Sequence, residues 1–215
     1  MYFNKYKIDA VIHFAGYIEV AESVKNPEKY YQNNVIGSKN LFDSMAENNV
    51  KDIIFSSTCS IYGEPQYIPI DENHPKKPIN PYGETKLEIE NLLSEYAQKG
   101  TIRSICLRYF NAAGADSEAR TGEWHEPETH LIPNILKSIF EKDRTVKIYG
   151  TDYSTQDGTC IRDYINVEDL AEAHRLAYIY LKEHKRSDCF NLGTEKGNSV
   201  KEVIDTTEKV TGEKI

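Results

Sequence analysis

No hydrophobic run in this 215-residue chain lasts long, because Lys, Asp, Asn or Glu interrupts each one within about ten residues, against the roughly 20 that a bilayer-crossing helix needs. A helical membrane span is therefore excluded. Cysteine is scarce: residues 59, 106, 160 and 189 lie far apart without a CxxC pair, which reads as ordinary core thiols of a reduced, cytoplasmic protein. Positive charge is also in deficit, with 26 basic against 34 acidic residues and a net charge of -8, so no surface is built to hold a nucleic-acid backbone. A small anionic ligand could still be gripped by a few placed groups. The N-terminal MYFNKYKIDAVIHFAG lacks a separate cleavable apolar segment, so export is not expected. Internal repeats and low-complexity tracts are absent. What is present, 39% hydrophobic and 28% charged side chains, suffices for one good core and a small satellite domain.

Residues 8–15 (IDAVIHFA) are short, apolar and β-rich, the pattern of a strand buried on both faces of a parallel sheet, ended by Gly16. Asn26 can cap a helix that starts at Pro27 and runs to about Glu47. A second strand follows at 52–57, and its C-terminal end is rich in hydroxyls. Five prolines between residues 61 and 81 leave that stretch an ordered loop. Asn80-Pro81 starts a second helix, on which Tyr82, Lys86, Ile89, Leu93 and Tyr96 share one face. Residues 103–110 complete a β-α-β-α-β series whose loops open on one crevice, where ligand chemistry belongs. Beyond it the pattern predicts a helix over 131–140, a short strand at 146–149, a strand at 160–165 and a helix from Asn166 to about His184, with Asp169 as a reciprocal cap. A brief strand at 189–192 and a final helix capped by Ser199 and Glu202 end the chain.

Tyr82 and Lys86 stand four apart on a helix, preceded by the hydroxyl cluster Ser56, Ser57 and Thr58. A phenol near pKa 10 is a poor base at neutral pH, and an ammonium beside it favours the phenolate. Thr58 could hydrogen-bond the same substrate oxygen that Tyr82 protonates or deprotonates. An isolated Tyr-x-x-x-Lys pair is more often a plain surface pair, and only its place between the second and third strands raises it above that. His13 reads as a hydrogen-bonded core residue. His74, His125, His174 and His184 share no ligand spacing, so no metal is assigned. Asp163 and Glu168 read as loop-ordering or cap groups, and Trp124 as a packing anchor for a polar loop.

YGETK at 82–86, SSTCSIYG at 56–63 and RYFNAAG at 108–114 together resemble the extended short-chain dehydrogenase/reductase family, its nucleotide-sugar epimerases above all. The likeness continues through HFAG at 13–16, residues 22–35, ETHLIP at 128–133, residues 157–171 and residues 191–200. It implies an α/β fold: a doubly wound, mostly parallel, Rossmann-like sheet lacking its first strands, with part of a smaller α/β substrate domain. The cofactor domain would take residues 1–112, with 159–190 partly returning to it; residues 113–158 and 191–215 would belong to the nucleotide-sugar domain. The cofactor implied is NAD, lined by Phe14, Ala15, Gly16, Asn33, Lys86 and Tyr109. Tyr82 would be catalytic base and acid, Lys86 would hold the nicotinamide ribose and depress the tyrosine pKa, and Thr58 would bind the reacting hydroxyl. Asn111, Leu131, Tyr149 and Arg162 match nucleotide-sugar positions; Arg162 can pair with a diphosphate oxygen, and Tyr149 and Leu131 can cover a uracil ring. A bare salt bridge to Asp163 or Glu168 is the plainer role for Arg162. His130 could touch substrate or merely start a helix.

The reaction implied is reversible 4-epimerisation of UDP-glucose and UDP-galactose through a 4-keto sugar. A homodimer built on helices 27–47 and 81–98 is part of the same pattern. An epimerase for UDP-N-acetylhexosamines or another nucleotide sugar is the neighbouring reading. Cys59 and Ser60 stand where a dehydratase needs an acidic pair, which weighs against 4,6-dehydration. A binding protein without turnover is the reading from another class. Two departures matter: no GxxGxxG turn occurs, and Ile18 stands where a polar side chain is usual. With only seven residues ahead of Ile8, the expectation is a chain truncated at both ends, whose strand 8–15 lacks a partner and whose NAD affinity falls below that of the family.

Overall fold

In the computed structural model, which describes residues 2–141 and 145–215, most of the apolar runs become strands and the 3.6-period segments become helices. In chain order the first half contains α1 (Tyr2–Lys5), β1 (Val11–His13), α2 (Val20–Lys25), α3 (Pro27–Tyr30), a π-helical turn (Tyr31–Ile36), α4 (Gly37–Glu47) and β2 (Asp52–Thr58). A 3-10 turn (Cys59–Ile61), α5 (Pro81–Gln98), β3 (Arg103–Tyr109) and β4 (Asn111–Ala113) follow. The remainder contains α6 (Leu131–Phe140), β5 (Ile161–Asn166), α7 (Val167–His184), β6 (Asp188–Leu192), β7 (Gly197–Ser199) and α8 (Val200–Thr211). These elements form two compact units, one ending at Phe110 and resuming over Ala171–Leu192, the other made of Asn111–Leu170 and Gly193–Ile215. The chain thus re-enters the first unit at Ala171, and residues 159–170 belong to the second.

The first unit holds a four-stranded, all-parallel sheet in the order β1-β2-β3-β6. Every residue of β2 is buried, as a strand covered on both faces should be. Alternation then sends Ile53 and Phe55 into a core with Phe42, Met45, Ile89, Leu93 and Ile102, and Ile54 to the opposite face with Ile105, Leu107, Ala177 and Leu181. Helices on both faces make the sheet doubly wound. β1 covers three residues, fewer than the eight-residue run 8–15 suggests, and among the described residues it pairs with β2 alone. Phe14 beyond its end is 57% exposed.

The segment 27–47 is helical throughout, yet not one α-helix, since a π turn interrupts it. Asn26 occupies the N-cap position of α3 but makes no side-chain cap bond. The proline-rich stretch 62–80 forms neither helix nor strand. In the second unit β5 pairs with β4 in parallel and with β7 antiparallel. α6 packs against α8, whose start carries the full Ser199–Glu202 capping box. Asn166 Oδ1 accepts the Glu168 amide at the start of α7. Residues 146–149 are not a strand: no neighbouring strand pairs with them among the described residues, and Ile148 and Tyr149 stay exposed.

Candidate active site

Helix α5 begins where it must for chemistry. The Asn80 side chain accepts the Gly83 amide at 2.8 Å and Pro81 fills the first turn, so the helix starts one residue before Tyr82. A Cβ on Gly83 would stand 2.7 Å from the Ser60 carbonyl oxygen. Only glycine lets this first turn approach the 3-10 turn that follows β2. Thr58, the last residue of β2, accepts the Ser60 amide at 3.2 Å, and its hydroxyl lies close enough to the Tyr82 side chain to favour the phenolate. Two further contacts fix the backbone of Tyr82: its amide donates to Ser23 Oγ at 3.2 Å, and its carbonyl accepts from Thr85 Oγ1 at 2.8 Å.

Lys86 lies one turn on, only 2% exposed, and its ammonium donates to the Ser56 carbonyl at 2.8 Å. That ammonium is 4.9 Å from the centre of the Phe55 ring and 5.8 Å from that of Tyr82. Burial without a carboxylate partner among the described residues pushes the amine down to about 8. Burial likewise pushes the Tyr82 phenol up to about 12, a rise that the Thr58 hydroxyl opposes. In this structure the phenol thus stands on the high side of its ordinary value, the direction opposite to the depression expected from a lysine at this spacing, because loss of solvent dominates. His13, hydrogen-bonded to Ser38 at 2.8 Å, is pushed down to about 4 by burial and, secondarily, by Lys86.

The other cofactor candidates in this unit lie in the loop after β1, in the π-helical turn and at the end of β3. Phe14, Ala15 and Asn33 are exposed, and Tyr109 hydrogen-bonds Ser56, whose carbonyl holds Lys86. A residue that sequence reasoning passed over joins them: Asn34, 1% exposed, accepts the Tyr17 amide at 2.8 Å and donates to the Tyr17 carbonyl at 3.0 Å and to Thr85 Oγ1 at 3.3 Å. It clasps the loop after β1 to helix α5. Its side chain comes so close that a Cβ on Gly16 would lie 3.2 Å from Asn34 Oδ1. A buried ammonium with one hydrogen bond, in a unit that also exposes Phe14, Ala15 and Asn33, fits a cofactor that carries hydroxyl groups beside a planar ring. The donor set is therefore compatible with a nicotinamide riboside.

In the second unit Asn111 donates to the Asp163 carbonyl at 2.8 Å. Arg162 is exposed and spends one N–H on its neighbour's carbonyl, Ile161, at 2.8 Å. The Asp163 carboxylate is engaged by the Thr194 and Glu195 amides, and Glu168 accepts the Ser117 amide, so both order loops. Leu131 is half-buried at the start of α6, whereas Tyr149 is 85% exposed. Trp124 is no packing anchor: it is 78% exposed, with the Lys137 ammonium 4.8 Å from its ring. His125 and His130, five apart in a loop, come together with Glu123 and Glu128 as potential metal ligands, an arrangement no helical or CxxC-like spacing announces.

A profile described as the NAD dependent epimerase/dehydratase family matches residues 1–193. The UDP-glucose 4-epimerase of Halalkalibacterium halodurans is 53% identical over 213 residues, which are 99% of this chain and 64% of that protein. Among solved structures, the Brucella ovis UDP-glucose 4-epimerase in complex with NAD superposes with a TM-score of 0.94 at 47% identity, covering 97% of this chain and 64% of that one. The Bifidobacterium longum UDP-glucose 4-epimerase in complex with NAD+ and UDP has a TM-score of 0.91 at 40% identity, covering 100% and 64%. The chain spans just under two thirds of the length of the curated relatives it matches.

Proposed function

Since the chain belongs to the NAD dependent epimerase/dehydratase family, we propose that its protein interconverts UDP-glucose and UDP-galactose by inverting carbon 4 of the hexose. The observation that carries this reading is the Thr58–Tyr82 hydroxyl pair with the buried Lys86 ammonium beside it. Bound NAD supplies a hydride acceptor and donor for carbon 4, and a positive nicotinamide ring. Phe14, Ala15, Gly16, Asn33, Lys86 and Tyr109 would hold it, with Asn34 positioning the loop.

The chain's own residues handle the proton. Tyr82 Oη takes it from the 4-hydroxyl and later returns it to the 4-oxygen of the turned sugar, while Thr58 Oγ1 orients that oxygen. A phenol at about 12 needs added positive charge to act as a base near neutrality, and a cationic ligand next to Lys86 provides it. The nucleotide end is assigned to Asn111, Leu131, Tyr149 and Arg162, with Arg162 on the diphosphate. Inversion requires this end to be gripped while the hexose turns over. A homodimer through helices 27–47 and 81–98, in a reduced cytoplasmic setting that keeps the four cysteines out of disulfides, completes the reading.

The test is equilibration of UDP-galactose with UDP-glucose by the protein and its Tyr82→Phe variant. Turnover is expected to fall about 10²–10⁴-fold with NAD binding retained. Unchanged turnover in Tyr82→Phe would overturn the assignment.

A further inference from the structure

We propose that Glu123, His125, Glu128 and His130 in the second unit bind one divalent transition-metal ion, for which Zn²⁺ is the best match. Each offers one ligand atom, and the four atoms lie within 4.8 Å of one another. His125 Nδ1 is 3.3 Å from Glu123 Oε1 and 3.7 Å from Glu128 Oε2. His130 Nδ1 is 3.6 Å from Glu128 Oε1 and contacts Glu123 Oε1 directly. Tetrahedral zinc with nitrogen and oxygen ligands at 2.0–2.2 Å requires ligand–ligand separations of about 3.3–3.6 Å. With Glu128 ligating through Oε2, the two contacts of His125 Nδ1 already lie close to that range, and the His130–Glu123 contact needs only to open.

An independent observation points to a ligand. The Glu128 side chain is 0% exposed, and its Oε1 is held by the amides of Thr129 and His130, each at 2.9 Å. Its Oε2 accepts no hydrogen bond, and His125 Nδ1 facing it makes none either. Two enclosed polar atoms left unsatisfied are costly, and a cation between them removes the cost for both. The backbone amides on Oε1 act as the outer partners that orient a ligating carboxylate. Two imidazoles with two carboxylates suit Zn²⁺ and its neighbours in the first transition row, whereas Ca²⁺ and Mg²⁺ prefer oxygen alone. Glu123, His125 and His130 are partly exposed, which leaves an entry path from solvent. Since His130 is the N-cap residue of α6, the ion would pin residues 123–130 to the start of that helix.

The experiment uses the whole chain, dialysed against a chelator and titrated with ZnCl₂ in competition with a chromophoric chelator. One tight equivalent is expected. His125→Ala should weaken it about 100-fold, Glu128→Gln at least about tenfold, and the remote His184→Ala not at all. Co²⁺ in place of Zn²⁺ should give the intense visible absorption of a tetrahedral site, lost in His130→Ala. Circular dichroism checks each fold, and Glu123→Gln, at the exposed rim, serves if the Glu128 variant fails to fold. Weak binding spread over several histidines, or a tight equivalent indifferent to His125→Ala and His130→Ala, overturns the proposal. Neither NAD nor sugar turnover enters the readout, so failure here leaves the epimerase reading untouched, and the reverse holds.

Discussion

Lys86 is a charge the fold would be more stable without. Its amine titrates at about 8 in the folded chain and near 10.5 unfolded, so between those values the unfolded state binds more protons and stability rises with pH. Below about pH 8 the whole penalty is present. Lys86→Met should therefore raise unfolding stability at pH 7 by roughly 1–3 kcal/mol and flatten the rise between pH 8 and 10, as urea titrations at several pH values would show. NAD affinity should drop in the same variant, and a variant that gained neither stability nor lost affinity would contradict the assigned role. His13 produces a second window. Its folded pKa of about 4 lies below the usual 6.5, so its neutral form contributes stability above pH 6.5 that is lost as pH falls towards 4. His13→Gln should reduce the acid sensitivity over that interval, read from thermal midpoints at pH 4.5 and 7.

Among elements, β2, α5 and β3 are tied by a buried polar network as well as by apolar packing. Arg108, 1% exposed, forms a two-pronged pair with Glu90 at 2.9 and 2.7 Å and donates to the Tyr62 hydroxyl at 2.9 Å. Ser57 adds a 2.6 Å bond to Glu90, and Tyr62 donates to Asn191 at 2.6 Å. Arg108→Leu alone should cost about 3–5 kcal/mol because the buried Glu90 carboxylate keeps only Ser57 and the more distant Lys76, at 3.6 Å, while Arg108→Met with Glu90→Leu should recover more than half of that in urea unfolding. Helix α5 was legible beforehand because Asn80-Pro81 is a local start signal and its burial period is helical. The π turn in 31–36 was not, since it follows the non-local demands of Asn34 on Tyr17 and Thr85. Strands β4 and β7 escaped notice because three residues carry no pattern and pairing with β5 alone defines them. Residues 146–149 misled in the other direction: β-rich composition says nothing about whether a partner strand is near. Tyr82, Lys86 and Thr58 were visible as a spacing, but the reversal of the expected phenol shift needed the burial that only tertiary structure supplies.

At the scale of the whole molecule, β1 ends the parallel sheet with its outer backbone groups unpaired by any described strand, and Ile12 and Phe14 exposed beside it. Such an edge templates association. Ile12→Lys should raise the concentration at which light scattering first appears, with little change in the urea midpoint; unchanged scattering would place the sticky surface elsewhere. The opposite edge has a different history. β6 pairs with β3, although some 80 residues of sequence separate them and most of these belong to the second unit. During synthesis on the ribosome the nascent sheet must wait, open at that side, until all of residues 111–170 have emerged. Of the four strands of this sheet, the last to leave the exit tunnel is also the one that delivers Asn191 to the Tyr62 hydroxyl, so vectorial translation makes closure of the first unit a late event.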